Sequence, residues 1–142
     1  MQASARNRFA GTISAVREGA INSEIELTTP GGDVIVAVVT QTSAQRLGLA
    51  VGKEAIALIK APWVMVLTDE GGIKLSARNR MAGTVSRLIK GAVNSDVVIA
   101  LPGGSAVHAV VTNDAVAELG LKEGVAATAL FKASHVILGV SA

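Results

Sequence analysis

Five donor-bearing positions recur at a fixed offset, and they carry most of the chemistry this sequence offers. They are Ser4, Arg6, Asn7, Thr40 and Lys60, matched by Ser76, Arg78, Asn79, Thr112 and Lys132. Hydroxyl, guanidinium, amide and ammonium groups together suit a guest that only accepts hydrogen bonds. A tetrahedral dianion is such a guest, and it is held best with carboxylates kept away. Thr40 and Ser43 add to this, because they stand where a strand runs into a helix N-terminus, where free N–H groups and the dipole favour negative charge. Each residue also has an ordinary structural reading. Thr40 and Ser43 serve equally as cap and turn residues. Arg6 and Arg78 read as solvated charges, and Lys60 and Lys132 as stems covering apolar surface. Asn22-Ser23 and Asn94-Ser95 read as strand openings after a glycine-containing turn.

Enzymatic chemistry has little to stand on. The only histidines, His108 and His135, lie in the second half, opposite Val36 and Trp63 in the first. General acid–base work by histidine would leave the first half inert, so both read as ordinary strand residues. Glu24 pairs with Asp96, but Glu26, Asp33 and Glu54 pair with Val98, Ser105 and Ala126, so no catalytic carboxylate pair recurs. No catalytic residue, cofactor or bare metal cation is expected. The absence of cysteine excludes disulfides, thiolate metal sites and thiol nucleophiles.

The elements that must position these groups come in two copies. Sliding the chain by 72 residues aligns Ser4-Ala5-Arg6-Asn7-Arg8 with Ser76-Ala77-Arg78-Asn79-Arg80 and continues without a gap, with about 30 of 70 paired positions identical. Two domains follow, 1–70 and 73–142, joined by a turn around Asp69-Glu70-Gly71-Gly72. In copy one a first strand runs from about Asn7 to Val16. Ile25 and Leu27 alternate with Glu24 and Glu26 in a half-buried strand, and Val34 to Val39 make a strand buried on both faces. Pro30-Gly31-Gly32-Asp33 joins them as a hairpin. Thr42 to Gly48 reads as a short helix capped by Thr42 or Ser43 and stopped by Gly48. Strands Glu54 to Lys60 and Trp63 to Leu67 complete the unit. Five strands with one helical turn between the third and fourth predict an all-β chain of two OB-like, five-stranded Greek-key barrels.

Composition is consistent with that frame. Of 142 residues half are hydrophobic, with one Trp, two Phe and no Tyr, so the cores rely on β-branched packing. Units of about 70 residues without aromatics or disulfides bury little surface, so the domains are expected to lean on each other and to oligomerise. The net charge of +2 is a small imbalance that weakly favours an anionic partner. The N-terminal residues lack a signal peptide's apolar core, and no apolar stretch has membrane-spanning length. A cytoplasmic location without membrane association is expected.

Four stretches together resemble the molbindin, or Mop-domain, family. They are Ser4-Ala5-Arg6-Asn7 with Gly11-Thr12-Ile13, Gly19-Ala20-Ile21-Asn22-Ser23-Glu24, Leu47-Gly48-Leu49-Ala50-Val51-Gly52-Lys53, and Ile59-Lys60-Ala61-Pro62-Trp63-Val64. The second copy repeats these marks from Ser76 to Val136. The tandem form is similar to di-Mop proteins of the ModG type. The same paired domains form the ligand-binding part of a molybdate-responsive regulator, but the resemblance includes no helix-turn-helix segment and implies no DNA-binding role.

What the resemblance implies is a homotrimer of two-domain chains that holds molybdate, or tungstate, at domain interfaces for storage, buffering or delivery. Carried over by motif, Ser4 and Arg6 or Ser76 and Arg78 would face Thr40, Ser43, Lys60 and Ala61 or Thr112, Lys132 and Ala133. Copy two departs from the pattern where Ala115 replaces Ser43 beside Asp114, a carboxylate that repels an anion unless it points away or caps the helix. A second, axial class of site would use backbone N–H groups of Gly19, Ala20, Ile21 and Asn22 and of Gly91, Ala92, Val93 and Asn94. The rival reading is single-stranded nucleic-acid binding by an OB barrel. It needs aromatic platforms worth roughly 1–3 kcal/mol per base, and only Phe9, Trp63 and Phe131 are on offer.

Overall fold

Alternating apolar residues from Phe9 onward build the longest element of each copy, a twelve-residue strand in the computed structural model. The structure describes residues 2–69 and 71–142. Copy one contains β1 (Asn7–Glu18), β2 (Asn22–Thr28), β3 (Val34–Thr40), α1 (Gln41–Leu47), β4 (Glu54–Ile59), a 3₁₀ turn (Ala61–Trp63) and β5 (Met65–Leu67). Copy two repeats this order as β6 (Asn79–Lys90), β7 (Asn94–Ala100), β8 (Ala106–Thr112), α2 (Asn113–Leu119), β9 (Ala126–Phe131), a 3₁₀ turn (Ala133–His135) and β10 (Ile137–Gly139). Glu70, part of the expected junction turn, lies outside the described residues. Beside it the Asp69 carboxylate accepts from the Gly71 N–H at 3.0 Å.

Several local expectations shift by a turn. The cap of α1 is Thr40, not Thr42 or Ser43: its extended backbone and its hydroxyl, which accepts from the Ser43 N–H, define the helix start. A strand-ending threonine is already extended and can bond forward three residues, which gives it the cap position. Gly48 ends α1 at φ 64°, a left-handed conformation that costs glycine nothing. Trp63 and His135 lie in the 3₁₀ turns rather than in strands, because the chain must change direction before β5 and β10. β3 is buried on both faces only at Ile35, Val36 and Ala37; Val34 is exposed.

All pairings are antiparallel, and β1 lies between β2 and β4 while β3 forms an edge. This is the Greek-key order of an OB-like barrel. The strand beside β4, however, is β10 from the other copy, with Ile137, Leu138 and Gly139 opposite Leu58, Ala57 and Ile56. Reciprocally, β5 pairs with β9, Met65 opposite Leu130 and Leu67 opposite Thr128. Each barrel is therefore completed by its neighbour's last strand. The buried side chains of both copies form one contiguous core running through Ile13, Ile25, Ile59, Val85, Ile99 and Phe131.

Two further reciprocal contacts lock the copies. Asn7 and Asn79 are each 1% exposed and pair with the edge strand opposite. The Asn79 amide accepts from the Val36 N–H and donates to the Val36 C=O, both at 2.8 Å. The Asn7 amide makes the same two bonds to the His108 backbone, both at 2.7 Å. These asparagines imitate a strand and satisfy backbone groups that burial would leave unpaired. At the hairpin tips Gly31 and Gly103 approach so closely that a Cβ on either would sit 2.4–2.5 Å from the other's carbonyl oxygen.

Candidate functional site

The SARN stretches enter β1 and β6 just before their first ladder residues, Asn7 and Asn79. The buried asparagine fixes each stretch against the opposite copy, so the serine and arginine ahead of it are placed along the interface. Asn7 and Asn79, counted among the donors from sequence, are spent on backbone and offer nothing to a guest.

Two cavities open beside these stretches at pseudo-equivalent places. The larger, about 400 Å³, is lined by Ser76, Ala77, Arg78, Lys132, Ala133 and Ser134, with Val38 and Met65 from copy one closing its side. The smaller, about 170 Å³, is lined by Ser4, Ala5, Leu58, Lys60, Trp63 and the exchanged Ile137. The structure thus brings Ser76, Arg78, Lys132 and Ala133 together around one space, and Ser4 with Lys60 around the other. Arg6 and Ala61 do not line the smaller cavity, and Thr40, Ser43 and Thr112 line neither.

Both site arginines have carboxylate partners from the opposite copy. Arg6 Nη1 lies 3.3 Å from an Asp96 oxygen, and Arg78 Nη1 bonds a Glu24 oxygen. Glu24 is shared with Arg17 at 2.7 Å, and Arg17 also reaches Glu26 at 3.5 Å. The Arg17 hydrogen bond is the main cause holding the Glu24 carboxyl below the usual glutamate range; partial burial opposes it, and Arg78 adds to it. Sequence reasoning set these acids aside, yet the signal was there: Glu24 and Asp96 are the one acidic pair kept at equivalent positions.

Thr40 and Ser43 close on each other, the Thr40 hydroxyl donating to Ser43 Oγ at 2.9 Å and accepting from the Ser43 N–H at 3.1 Å. Thr112 accepts from the Ala115 N–H at 3.1 Å. Thr112 is therefore the α2 cap, while Asp114 is exposed in the first turn.

The axial-class residues occupy the turns between β1 and β2 and between β6 and β7 together with the first strand residues Asn22 and Asn94, and all eight are exposed. Ile21 C=O accepts from the Gln41 N–H and Val93 C=O from the Asn113 N–H, each at 2.8 Å. The Gly91 N–H is already used, donating to Asn94 C=O at 2.8 Å. Beneath each turn a buried serine bonds the first helical side chain, Ser23 to Gln41 and Ser95 to Asn113. Sequence reading missed these pairs.

Trp63 and His135, equivalent positions of the two copies, meet at 4.9 Å between ring centroids. Lys60 Nζ lies 5.7 Å from the Trp63 ring centre, within cation–π reach. His108 is engaged through its backbone in the Asn7 lock. Among the described residues no group of three or more His, Asp or Glu could hold a metal ion, and no helix is long and apolar enough to cross a membrane.

The chemistry available is that of an acceptor-only anion held by hydroxyl, guanidinium and ammonium groups where two copies meet. Comparison with known proteins shows the family. The TOBE domain family matches residues 3–66 and 75–138. The molybdenum transport protein ModE of Herbaspirillum seropedicae is 50% identical over 140 residues, covering 99% of this chain and 52% of that protein. The molybdenum-pterin-binding protein MopA of Rhodobacter capsulatus is 43% identical over 140 residues, covering 99% and 53%. The chain spans about half the length of the curated relatives it matches. A solved structure of the cytoplasmic molybdate-binding protein ModG, with molybdate bound, aligns at 55% identity and a TM-score of 0.96, covering 99% of this chain and 100% of that one. This chain belongs to the TOBE-domain family, as a tandem di-Mop protein of the molbindin kind.

Proposed function

We propose that this protein is a non-enzymatic molybdate-binding protein of the cytoplasm that stores, buffers or hands over the anion, with tungstate as an alternative guest and no other cofactor. The observation that carries the reading is the grouping of Ser76, Arg78, Lys132 and Ala133 around one cavity, with Ser4 and Lys60 around its counterpart. The bound molybdate and 55% identity of the ModG structure supply the identity of the guest. Arg6, Thr40, Ser43, Ala61 and Thr112 complete the proposed interface sites from domains 1–70 and 73–142 or from neighbouring chains. The turns Gly19 to Asn22 and Gly91 to Asn94 provide the axial sites. A homotrimer is the proposed assembly, with Ile21 and Val93, 78% and 70% exposed at these turns, as residues that association with another chain would cover.

Nucleic-acid binding is not favoured, because Phe9 and Phe131 are buried at 5% and 2% exposure and leave Trp63 without a second stacking platform. Calorimetric titration with molybdate, sulfate, phosphate and an oligonucleotide, alongside native mass spectrometry of protein purified in excess molybdate, tests the reading. Molybdate uptake by a three-chain species is the expected result. Arg6→Ala combined with Arg78→Ala should abolish interface binding while the barrels remain folded; unchanged ion content in that variant sinks the assignment.

A further inference from the structure

Resting on the molybdate reading, we propose that Asp96 and Glu24 are resident counter-anions of Arg6 and Arg78, which an incoming dianion must displace, so that these two carboxylates set how readily each site loads. A carboxylate and a tetrahedral oxyanion compete for the same thing, since both are acceptor-only and both match the guanidinium fork. The structure places such a competitor on each site arginine, reciprocally across the two copies. Each contact uses Nη1 alone. The pairs are also accessible, with Arg6 and Arg78 side chains 56% and 52% exposed, so a guanidinium can turn from one partner to another without unpacking the core.

The two gates are unequal. Arg78 lines its cavity with Ser76 and Lys132 while still bonded to Glu24. Arg6 pairs with Asp96 and does not line the cavity of Ser4 and Lys60. Their carboxylates also differ in what remains after displacement. Glu24 keeps Arg17 at 2.7 Å. Asp96 makes no second ion pair among the described residues, because Ile89 occupies the place of Arg17. An anion that takes Arg6 therefore leaves an uncompensated carboxylate close to itself, whereas one that takes Arg78 does not. The Arg78 site loads first, and the Arg6 site is the restrained one.

Calorimetric titration of the full chain with molybdate tests this, using Asp96→Asn, Asp96→Glu and Glu24→Gln beside the unaltered protein. Exposed ion pairs contribute little to folding, and a single cooperative unfolding transition well above the titration temperature verifies that the variants are intact. Asp96→Asn should tighten the weaker class of sites by about three- to tenfold, the range expected from removing one exposed ion pair and one like charge. Glu24→Gln should tighten binding by about twofold or less, given that Arg17 already neutralises Glu24. Asp96→Glu retains the charge and should bind as the unaltered protein does. Unchanged or weaker binding by Asp96→Asn overturns the inference, as does a gain in Asp96→Glu equal to that in Asp96→Asn. If the unaltered protein itself takes up no molybdate, the functional reading falls first; if it binds and the variants show no gain, the gate alone falls.

Discussion

The two copies are built from one sequence plan, yet they differ around the cavities that open beside their SARN stretches. Both have a threonine-capped helix, an asparagine lock and an exchanged last strand. Around the cavities the symmetry fails: about 400 Å³ with a lining arginine on one side, about 170 Å³ without one on the other. The causes are a few side chains. Trp63 lines the cavity of Lys60, whereas its equivalent His135 does not line that of Lys132. Arg17 and Glu26 join Glu24 in a cluster that Asp96 lacks. Duplicated scaffold residues preserve the framework, and a few substitutions beside it change charge and volume at the junction.

The largest test of this comparison is the asparagine lock. Asn79→Ala strands the N–H and C=O of Val36, which is only 6% exposed, and should lower stability by about 3 kcal/mol in urea unfolding. Asn7→Ala acts on the partly buried His108 backbone and should cost about 2 kcal/mol. Equal losses would make the two locks energetically equivalent.

Next come the hairpin tips. Gly31→Ala and Gly103→Ala each push a Cβ into the other's carbonyl and should cost about 1–3 kcal/mol apiece. Since separating the hairpins once relieves both clashes, the double variant should lose clearly less than the sum in the same unfolding assay. Additive losses would show that the tips move independently.

Helix caps should show a smaller inequality. Thr40→Ala should cost about 1 kcal/mol. Thr112→Ala should cost a few tenths less, because it removes one hydrogen bond, from the Ala115 N–H, whereas Thr40→Ala also removes the hydroxyl bond to Ser43 Oγ. Helix-resolved hydrogen exchange separates the two.

The smallest effect concerns pH. The Glu24 carboxyl titrates below its ordinary range in the folded chain, so its ionised form contributes stability that is fully present above the unfolded value of about 4.3 and lost as pH falls through the folded one. The stability gap between the unaltered protein and Glu24→Gln should therefore be constant near neutrality and shrink on acidification. A gap that widens as pH falls would contradict the Arg17 pairing.

Much of this architecture was legible beforehand because it is local. The 72-residue repeat, the period-two strands, the Pro30 hairpin and the Gly48 stop all follow from neighbours along the chain. Recurrence at one offset also singled out Ser4, Lys60, Ser76, Arg78 and Lys132, which line the two cavities, together with Arg6, Thr40 and Thr112, which line neither. Element ends were less legible. Thr40 won the cap from Thr42 and Ser43 because β3 ends on it, and that ending depends on pairing with β2.

The sequence by itself determined two copies, five strands in each, their helical turns and the types of group gathered near the junction, because backbone preference and alternating burial act over a few residues. Only the tertiary structure decided that β5 and β10 change places, that Asn7 and Asn79 are locks rather than ligands, and that Arg6 and Arg78 meet Asp96 and Glu24. The reason is symmetry: with copies this alike, a strand, an amide or a guanidinium finds nearly the same partner in either barrel. The choice between them is made by how the chain crosses from one copy to the other, which no local pattern records.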